Sequence, residues 1–388
     1  MAPNRHSEAQ LQLKAGEWVE VRSTEEILAT LDERGCLENM PFMPEMLKLS
    51  GQKFRVVNRA DKTCDPANTP WSLRRLTDSV HLEGVRCDGA DHGGCQAGCL
   101  IFWKEAWLKR ADTNSTIPVA NLQAGRTSTS SNQGMFTISD LLAASQKKNQ
   151  NIEPIYFCQA TEVRHFTSSM KWWDLRQDLR DIRSGNLASG LPSGTHGARL
   201  LNMLLAIVRI MQALVFYVAW GRYGIRYPAI NGQLAKTPVE ILNLQPGEIV
   251  QVRSKDEIVG TLDKTNRNRG LLFDTEMVPF CGGFYRVLRR VDHIIDEKTG
   301  KMMIMKFPCI ILEGVWCRSD YHRICPRAIY SYWRENWLRR VASVPSPTED
   351  SEIRYCEEQV KAEHHPECVT GSSLISRTSM STHPSAML

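Results

Sequence analysis

The chain has 388 residues, 42% hydrophobic and 23% charged, with a formal charge of +5. That length predicts two or three domains, and the composition excludes a wholly disordered chain, a collagen and a polytopic membrane protein. Twelve cysteines are too few for a disulfide scaffold, and the opening MAPNRHSEAQLQLKAGEW has no apolar core followed by a cleavage site, so a cytoplasmic protein is expected. In a reducing compartment, clustered cysteines read as metal ligands or reactive thiols.

The chain contains an internal repeat. GEWVEVRSTEEILATLD from Gly16 matches GEIVQVRSKDEIVGTLD from Gly247, an offset of 231 that holds to Asp65/Asp296 with 20 identities in 52 positions. A one-residue gap then shifts the offset to 230, pairing HLEGVRC at Cys87 with ILEGVWC at Cys317 and Trp103, Glu105 and Trp107 with Trp333, Glu335 and Trp337. Two homologous units result, 14–111 and 245–341, each of ordinary single-domain size.

Within a unit, the alternation around Trp18–Val21 predicts a strand. Ser23-x-x-Glu26 and Ser254-x-x-Glu257 predict capping boxes opening a short helix. Strands follow at Phe54–Val57 and Ser79–Val85. Trp103 and Trp107 at i, i+4 predict a closing helix over Phe102–Arg110, its tryptophans plugging a barrel end. The expected fold class is α+β, mostly β: two small SH3-like, partly open barrels separated by a helical segment.

Between the units, 112–151 reads as a flexible linker with one short helix near Ile138–Ser145. The segment 152–244 reads as helical. Trp172, Leu175, Leu179 and Ile182 would form the apolar face of a helix over 170–184. The run LLNMLLAIVRIMQALVFYVAW (200–220) carries Arg209 near its middle, which disfavours a spanning helix. It is expected to lie buried between the repeats, or in peripheral contact with a membrane surface. The tail 342–388, holding Cys356, His364, His365 and Cys368, reads as disordered. Net charge is −1 for the first unit, +5 for the centre, +5 for the second unit and −4 for the tail, so the units are not expected to share one partner.

The sharpest chemical signal is a duplicated C-x4-H-x2-C. The first unit reads Cys87, His92, Cys95 and then Cys99; the second reads Cys317, His322 and Cys325. Thiolates and imidazole are the usual zinc ligands. Cys64 and Cys99 face Ile295 and Ile329 in the alignment, so the expected full site is in the first unit: Cys64, Cys87, His92, Cys95 and Cys99. The second unit offers Cys317, His322 and Cys325, with Cys309, Cys281 or His293 as a fourth ligand. An iron–sulfur cluster uses the same thiolate set, and inert buried thiols are the alternative. Cys158 stands outside both repeats and reads as a buried thiol. Glu105 and Glu335 read as ion-pair partners of nearby arginines.

The strings running from Arg59 to Asp65, HLEGVRCDGADHGGCQAGCLIFWKEAWLKR and CPRAIYSYWRENWLRR resemble an uncharacterised bacterial family with the same tandem arrangement. That resemblance implies an accessory role beside polysaccharide or specialised metabolism, at the inner membrane if the 200–220 helix makes membrane contact. No nucleotide-binding, nucleophile-elbow or zincin motif occurs in the sequence. The expected function is an accessory interaction protein with a structural zinc in the first unit and a protein partner. The alternatives are a metal-dependent or iron–sulfur enzyme acting at the Cys/His loop, and a nucleic-acid binder using the basic centre and second unit.

Overall fold

The computed structural model describes residues 11–67, 69–111, 136–147, 153–171, 174, 176–186, parts of 204–219, and 230–341. The tail with its Cys356–Cys368 cluster, most of the 112–151 segment, and Trp172 and Leu175 lie outside the described residues. The fold is mostly β, with antiparallel sheets.

The two repeats pair their strands in the same register. In the first, Trp18–Val21 lies between Lys53–Arg59 and Leu108–Arg110, with Trp18 opposite Arg55 and Val21 opposite Leu108. In the second, Ile249–Val252 lies between Phe284–Ile295 and Leu338–Arg340, with Ile249 opposite Arg286 and Val252 opposite Leu338. Both capping boxes form, Ser23 with Glu26 and Ser254 with Glu257.

The segment 102–110 is not a helix. Trp103–Lys104 is a strand, Glu105–Trp107 a single 3-10 turn, and Leu108–Arg110 a second strand. Trp103 pairs with Val80 in the sheet and Leu108 with Val21, so both ends are held extended and only the corner between them turns. The tryptophans still reach the core. Trp103, Trp107, Trp333 and Trp337 are all 0% exposed, so none can stack on a base. Phe42 lies edge-on to Trp107 at 5.2 Å, and Phe273 edge-on to Trp337 at 5.4 Å. The indole N–H of Trp107 donates to Thr30 Oγ1 at 3.1 Å, and that of Trp337 to Thr261 Oγ1 at 2.9 Å.

Glu105 and Glu335 are ion-pair partners in both units. Glu105 accepts from the backbone N–H groups of Gln12 and Leu13 and pairs with Arg59; Glu335 accepts from Leu242 and Leu244 and pairs with Arg290. Each carboxylate therefore ties the lead-in segment of its unit to the sheet.

The middle segment packs against the first repeat. Ile138–Ala144 is a helix capped by Thr137, Gln159–Glu162 is a short helix, and Ser168–Ser169 adds an edge to the strand Thr69–Arg75. The helix Arg176–Ser184 does not bury the expected apolar stripe. Gln177, Asp178, Asp181 and Ser184 face inward, and Leu179 is 53% exposed. The cause is Lys62, wholly buried, whose Nζ lies 3.2 Å from Asp178 and 2.6 Å from Asp181. Arg323 of the second repeat also pairs with Asp178 and donates to the Asp174 carbonyl at 3.1 Å. A buried cation needs its anions in place, so charge, not hydrophobicity, chooses the inward face.

The described residues of 204–219 are helical, but they are not buried between the repeats. Leu204, Ile207, Val208, Met211 and Val215 are all exposed, while Phe216 stacks on Tyr321 of the second repeat at 4.8 Å. Among the described residues, no helix is long and apolar enough to cross a membrane.

Two outcomes follow from these buried groups. Lys62→Met strips Asp181 of its cation and should destabilise the protein by about 3 kcal/mol, whereas exposed Lys53→Met should cost under about 0.5 kcal/mol; chemical denaturation of both variants checks the contrast. The second concerns His81, wholly buried and donating from Nδ1 to the Ile101 carbonyl at 2.8 Å. Burial first, then the charges of Arg86 and Arg327, hold its pKa near 4. The unfolded chain protonates near pH 6.5, so stability falls as pH drops from about 6.5 to about 4, by up to about 3 kcal/mol. His81→Leu should remove that much of the pH dependence in urea titrations; an unchanged slope contradicts it.

Candidate metal centre

The two Cys/His loops share one backbone. Cys87 N–H donates to the Cys99 carbonyl and Cys317 N–H to the Ile329 carbonyl, each at 2.8 Å, closing the loops at equivalent points. His92 N–H donates to Gly89, and His322 N–H to Ser319. The first loop places glycines at its left-handed positions, Gly89, Gly93, Gly94 and Gly98. The second places Ser319, Arg323, Ile324 and Ala328 at the same positions, with φ of 57°, 51°, 56° and 42°. Left-handed backbone costs a non-glycine residue about 1–3 kcal/mol and persists only where the surroundings over-determine it. Ile324 is β-branched and the least tolerant of the four.

Beneath each loop lies a duplicated glutamate. Glu45 accepts from Asp91 N–H at 3.1 Å; Glu276 accepts from Asp320 N–H at 3.2 Å and Tyr321 N–H at 2.7 Å. The histidines above them differ. In the first loop His92 Nδ1 is 2.6 Å from Glu45 and Nε2 is 3.1 Å from the Phe157 carbonyl. Burial opposes its charge, but the bond to Glu45, the Glu45 carboxylate and the Phe157 carbonyl prevail and raise its pKa. Both ring nitrogens of His92 are within hydrogen-bond distance of acceptors, Glu45 and the Phe157 carbonyl, so the ring is engaged on both sides. In the second loop, His322 Nδ1 lies 3.6 Å from Cys317 Sγ and 3.7 Å from Glu276 Oε1. Burial lowers its pKa, favouring the neutral, ligating form.

The ligand atoms of Glu276, Cys317 and His322 all lie within 4.8 Å of one another, and among the described residues no other such trio of histidine, cysteine and carboxylate groups occurs. An S···N separation of 3.6 Å is close to the edge of a tetrahedron built with Zn–S of about 2.3 Å and Zn–N of about 2.0 Å. Burial raises Glu276 to about 7 and pushes Cys317 well above the usual thiol range. A metal would therefore have to displace protons to bind here.

Cys64 does not join Cys87, Cys95 and Cys99. It crosses to the second repeat, where its backbone N–H donates to Cys325 Sγ at 3.1 Å and its carbonyl accepts from Arg327 at 3.0 Å. The exchange is reciprocal. Ile295, its counterpart in the second repeat, donates its N–H to Cys95 Sγ at 3.4 Å. Gln96 adds further bonds, its Oε1 accepting from Asp292 N–H at 2.6 Å and its N–H donating to the His293 carbonyl at 3.2 Å. Arg86 spans both loops, donating to the Gly98 and Ala328 carbonyls, each at 3.0 Å, with its guanidinium over the Tyr330 ring. Burial opposes the Cys325 thiolate, but the Cys64 thiol, the Arg327 N–H and the Arg327 guanidinium bring its pKa below the ordinary value.

Cys87, His92, Cys95 and Cys99 of the first loop line one small cavity together with Cys158. Of the fourth ligands the sequence offers for the second loop, Cys309 packs among Val291, Ile311 and Tyr330, and Cys281 packs against the core. His293 lies across the interface, against Gly94. The group that meets Cys317 and His322 is Glu276; Cys325 and Cys64, bonded to each other across the repeats, lie outside that 4.8 Å cluster. Glu276 was visible in the sequence only as one identity of the repeat, Glu45/Glu276. Arg327 carried no signal, because a lone arginine in a divergent loop has no pattern.

No family model matches the chain, and no curated protein and no solved structure is significantly similar to it.

Proposed function

We propose that the protein is an accessory interaction protein of two small SH3-like units, docked Cys/His loop to Cys/His loop and held there by zinc. Cys317 and His322 are the first ligands of that ion. Cys325 and Cys64 complete a Cys3His set, one thiol coming from each repeat, and Glu276 organises the loop beneath it through the Asp320 and Tyr321 N–H groups. The observation that carries this reading is the meeting of Glu276, Cys317 and His322 at a point within 4.8 Å. The four left-handed non-glycine residues of that loop support it, since a bound ion is the kind of constraint that keeps such backbone in place. A structural zinc site is closed by four protein ligands, and these side chains are buried or half-buried.

An enzymatic reading draws on the raised pKa of Glu276. Its two oxygens, however, already accept the Asp320 and Tyr321 N–H groups, which makes it a loop organiser. A nucleic-acid reading draws on the positive centre and second unit. The tryptophans of the FWKEAWLKR and YWRENWLRR strings are wholly buried, which leaves that reading only surface charge. The partner in the favoured reading is another protein.

Elemental analysis of the purified full chain tests it. At least one zinc per chain is expected. Chelation should lower the melting temperature by roughly 10 °C or more, because a structural zinc contributes several kcal/mol of folding free energy, and Cys317→Ser should reproduce the loss. Metal-free protein of unchanged stability overturns the reading, and visible brown absorption points to an iron–sulfur centre in place of zinc.

A further inference from the structure

The first loop has lost two of the ligands its partner loop has. His92 is bonded at both ring nitrogens, and Ile295 stands where the cross-repeat thiol would be. It has gained two others. Cys99 faces Ile329 in the repeat alignment, and Cys158 has no counterpart at all. We propose that Cys87, Cys95, Cys99 and Cys158 form a second metal centre, a four-thiolate zinc site that joins the middle segment to the first repeat.

Three observations carry the assignment. The first is convergence on a single cavity of about 40 Å³, lined by all four cysteines. Cys87, Cys95 and Cys99 come from the loop, and Cys158 from the position just before the helix Gln159–Glu162. Each is buried or half-buried. The volume has room for an ion, since one water-sized probe needs about 10–15 Å³.

The second is the hydrogen bonding around the sulfurs. Cys95 Sγ accepts the Ile295 N–H at 3.4 Å, the exact counterpart in the repeat of the Cys64 N–H on Cys325 Sγ at 3.1 Å. Backbone donors aimed at sulfur are the kind of outer contact that orients a metal-ligating cysteine. They occur here at equivalent points of both loops.

The third is the counter-charge. Four thiolates on one Zn²⁺ leave a net charge of −2, which is costly in a buried site. Arg327 lines the same cavity, is only 4% exposed, and reaches it from the second repeat. Its guanidinium is bonded to the Cys64 carbonyl and paired at 2.8 Å with Glu297, which lines the cavity too, so it offsets part of that charge. The sulfurs line the cavity without yet meeting within 4.8 Å, so an ion would draw them together by rotation about χ1, for which cysteine has three staggered choices.

This inference rests on the reading of the protein as metal-dependent, but its test is separable from the Cys317–His322 site. The full chain, stripped of metal under reducing conditions, is titrated with Co²⁺ and then Zn²⁺. Wild type should bind two tetrahedral Co²⁺ ions with sulfur-to-metal charge-transfer bands, both displaced by Zn²⁺. Cys317→Ser should keep one, with an all-sulfur spectrum. Cys158→Ser should keep one, with the mixed sulfur–nitrogen spectrum, and the double variant should bind none. Cys99→Ser repeats the Cys158 arm should that variant fail to fold, and Cys36→Ser, a buried thiol outside the cavity, should bind two. A Cys158→Ser and a Cys99→Ser variant that both bind like wild type overturn the proposal. So does a Cys317→Ser variant that binds no metal. Wild type that binds a single Co²⁺ with an all-sulfur spectrum, unchanged by Cys317→Ser, would overturn the preceding functional reading and leave this one standing. An iron–sulfur absorption that survives Cys317→Ser and disappears in Cys158→Ser would overturn zinc as the ion.

Discussion

The structure depends on a reciprocal bond between its two halves. A strand of each repeat gives a backbone N–H to a cysteine sulfur of the other, Cys64 to Cys325 and Ile295 to Cys95. Each bond alone is weak. Together they fix the loops face to face, and every other cross-repeat contact follows from that placement. Arg327 reaches Cys64 because the loop it follows is anchored by Cys325. Gln96 reaches Asp292 and His293 because the strand ending at Ile295 lies over Cys95. Arg323 reaches Asp178 because the second loop is held against the middle segment. The buried Lys62–Asp178–Asp181 cluster then sits two residues from Cys64, so the ionic and thiol networks share a strand.

Duplication explains the pattern, and divergence explains the chemistry. Both loops keep the same closing bond and the same left-handed positions. Glycine meets that requirement in the first loop, and at Gly93 it is also forced by space, since an added Cβ would lie 2.1 Å from the Tyr156 hydroxyl. The second loop meets it with larger residues under strain. The glutamates differ in the same spirit. Glu45 captures its histidine outright, while Glu276 leaves His322 facing Cys317. The two copies of the loop thus differ in where the histidine turns, toward the glutamate on one side and toward the cysteine on the other.

Much of this was legible in the sequence. The repeat, the capping boxes and the fate of the tryptophans followed from spacing and identity, because each depends on neighbours a few residues away or on copies of itself. The segment 102–110 was misread as a helix because i, i+4 tryptophans fit a helix and equally fit two strands joined at a 3-10 corner; only the partners Val80 and Val21 decide between them. The face of Arg176–Ser184 was misread because periodicity counts apolar residues, whereas a buried lysine more than a hundred positions away sets the inward side. Cys64 reads as a ligand of its own unit because Ile295 replaces it in the other, whereas the partner that takes it is Cys325, 261 residues on. Contacts of that range leave no trace in a single sequence.

The central claim is that metal ions sit where the repeats meet, one with ligands from both repeats and one with ligands from the first repeat and the middle segment. Anomalous diffraction from crystals of the full chain, collected on either side of the zinc absorption edge, tests it most directly. The account predicts one peak between Cys317 and His322, with Cys64 and Cys325 around it, and a second inside the ring of Cys87, Cys95, Cys99 and Cys158. Zinc-replete crystals with no anomalous peak at either place, and with Cys64 and Cys325 joined by hydrogen bonds alone, would contradict it.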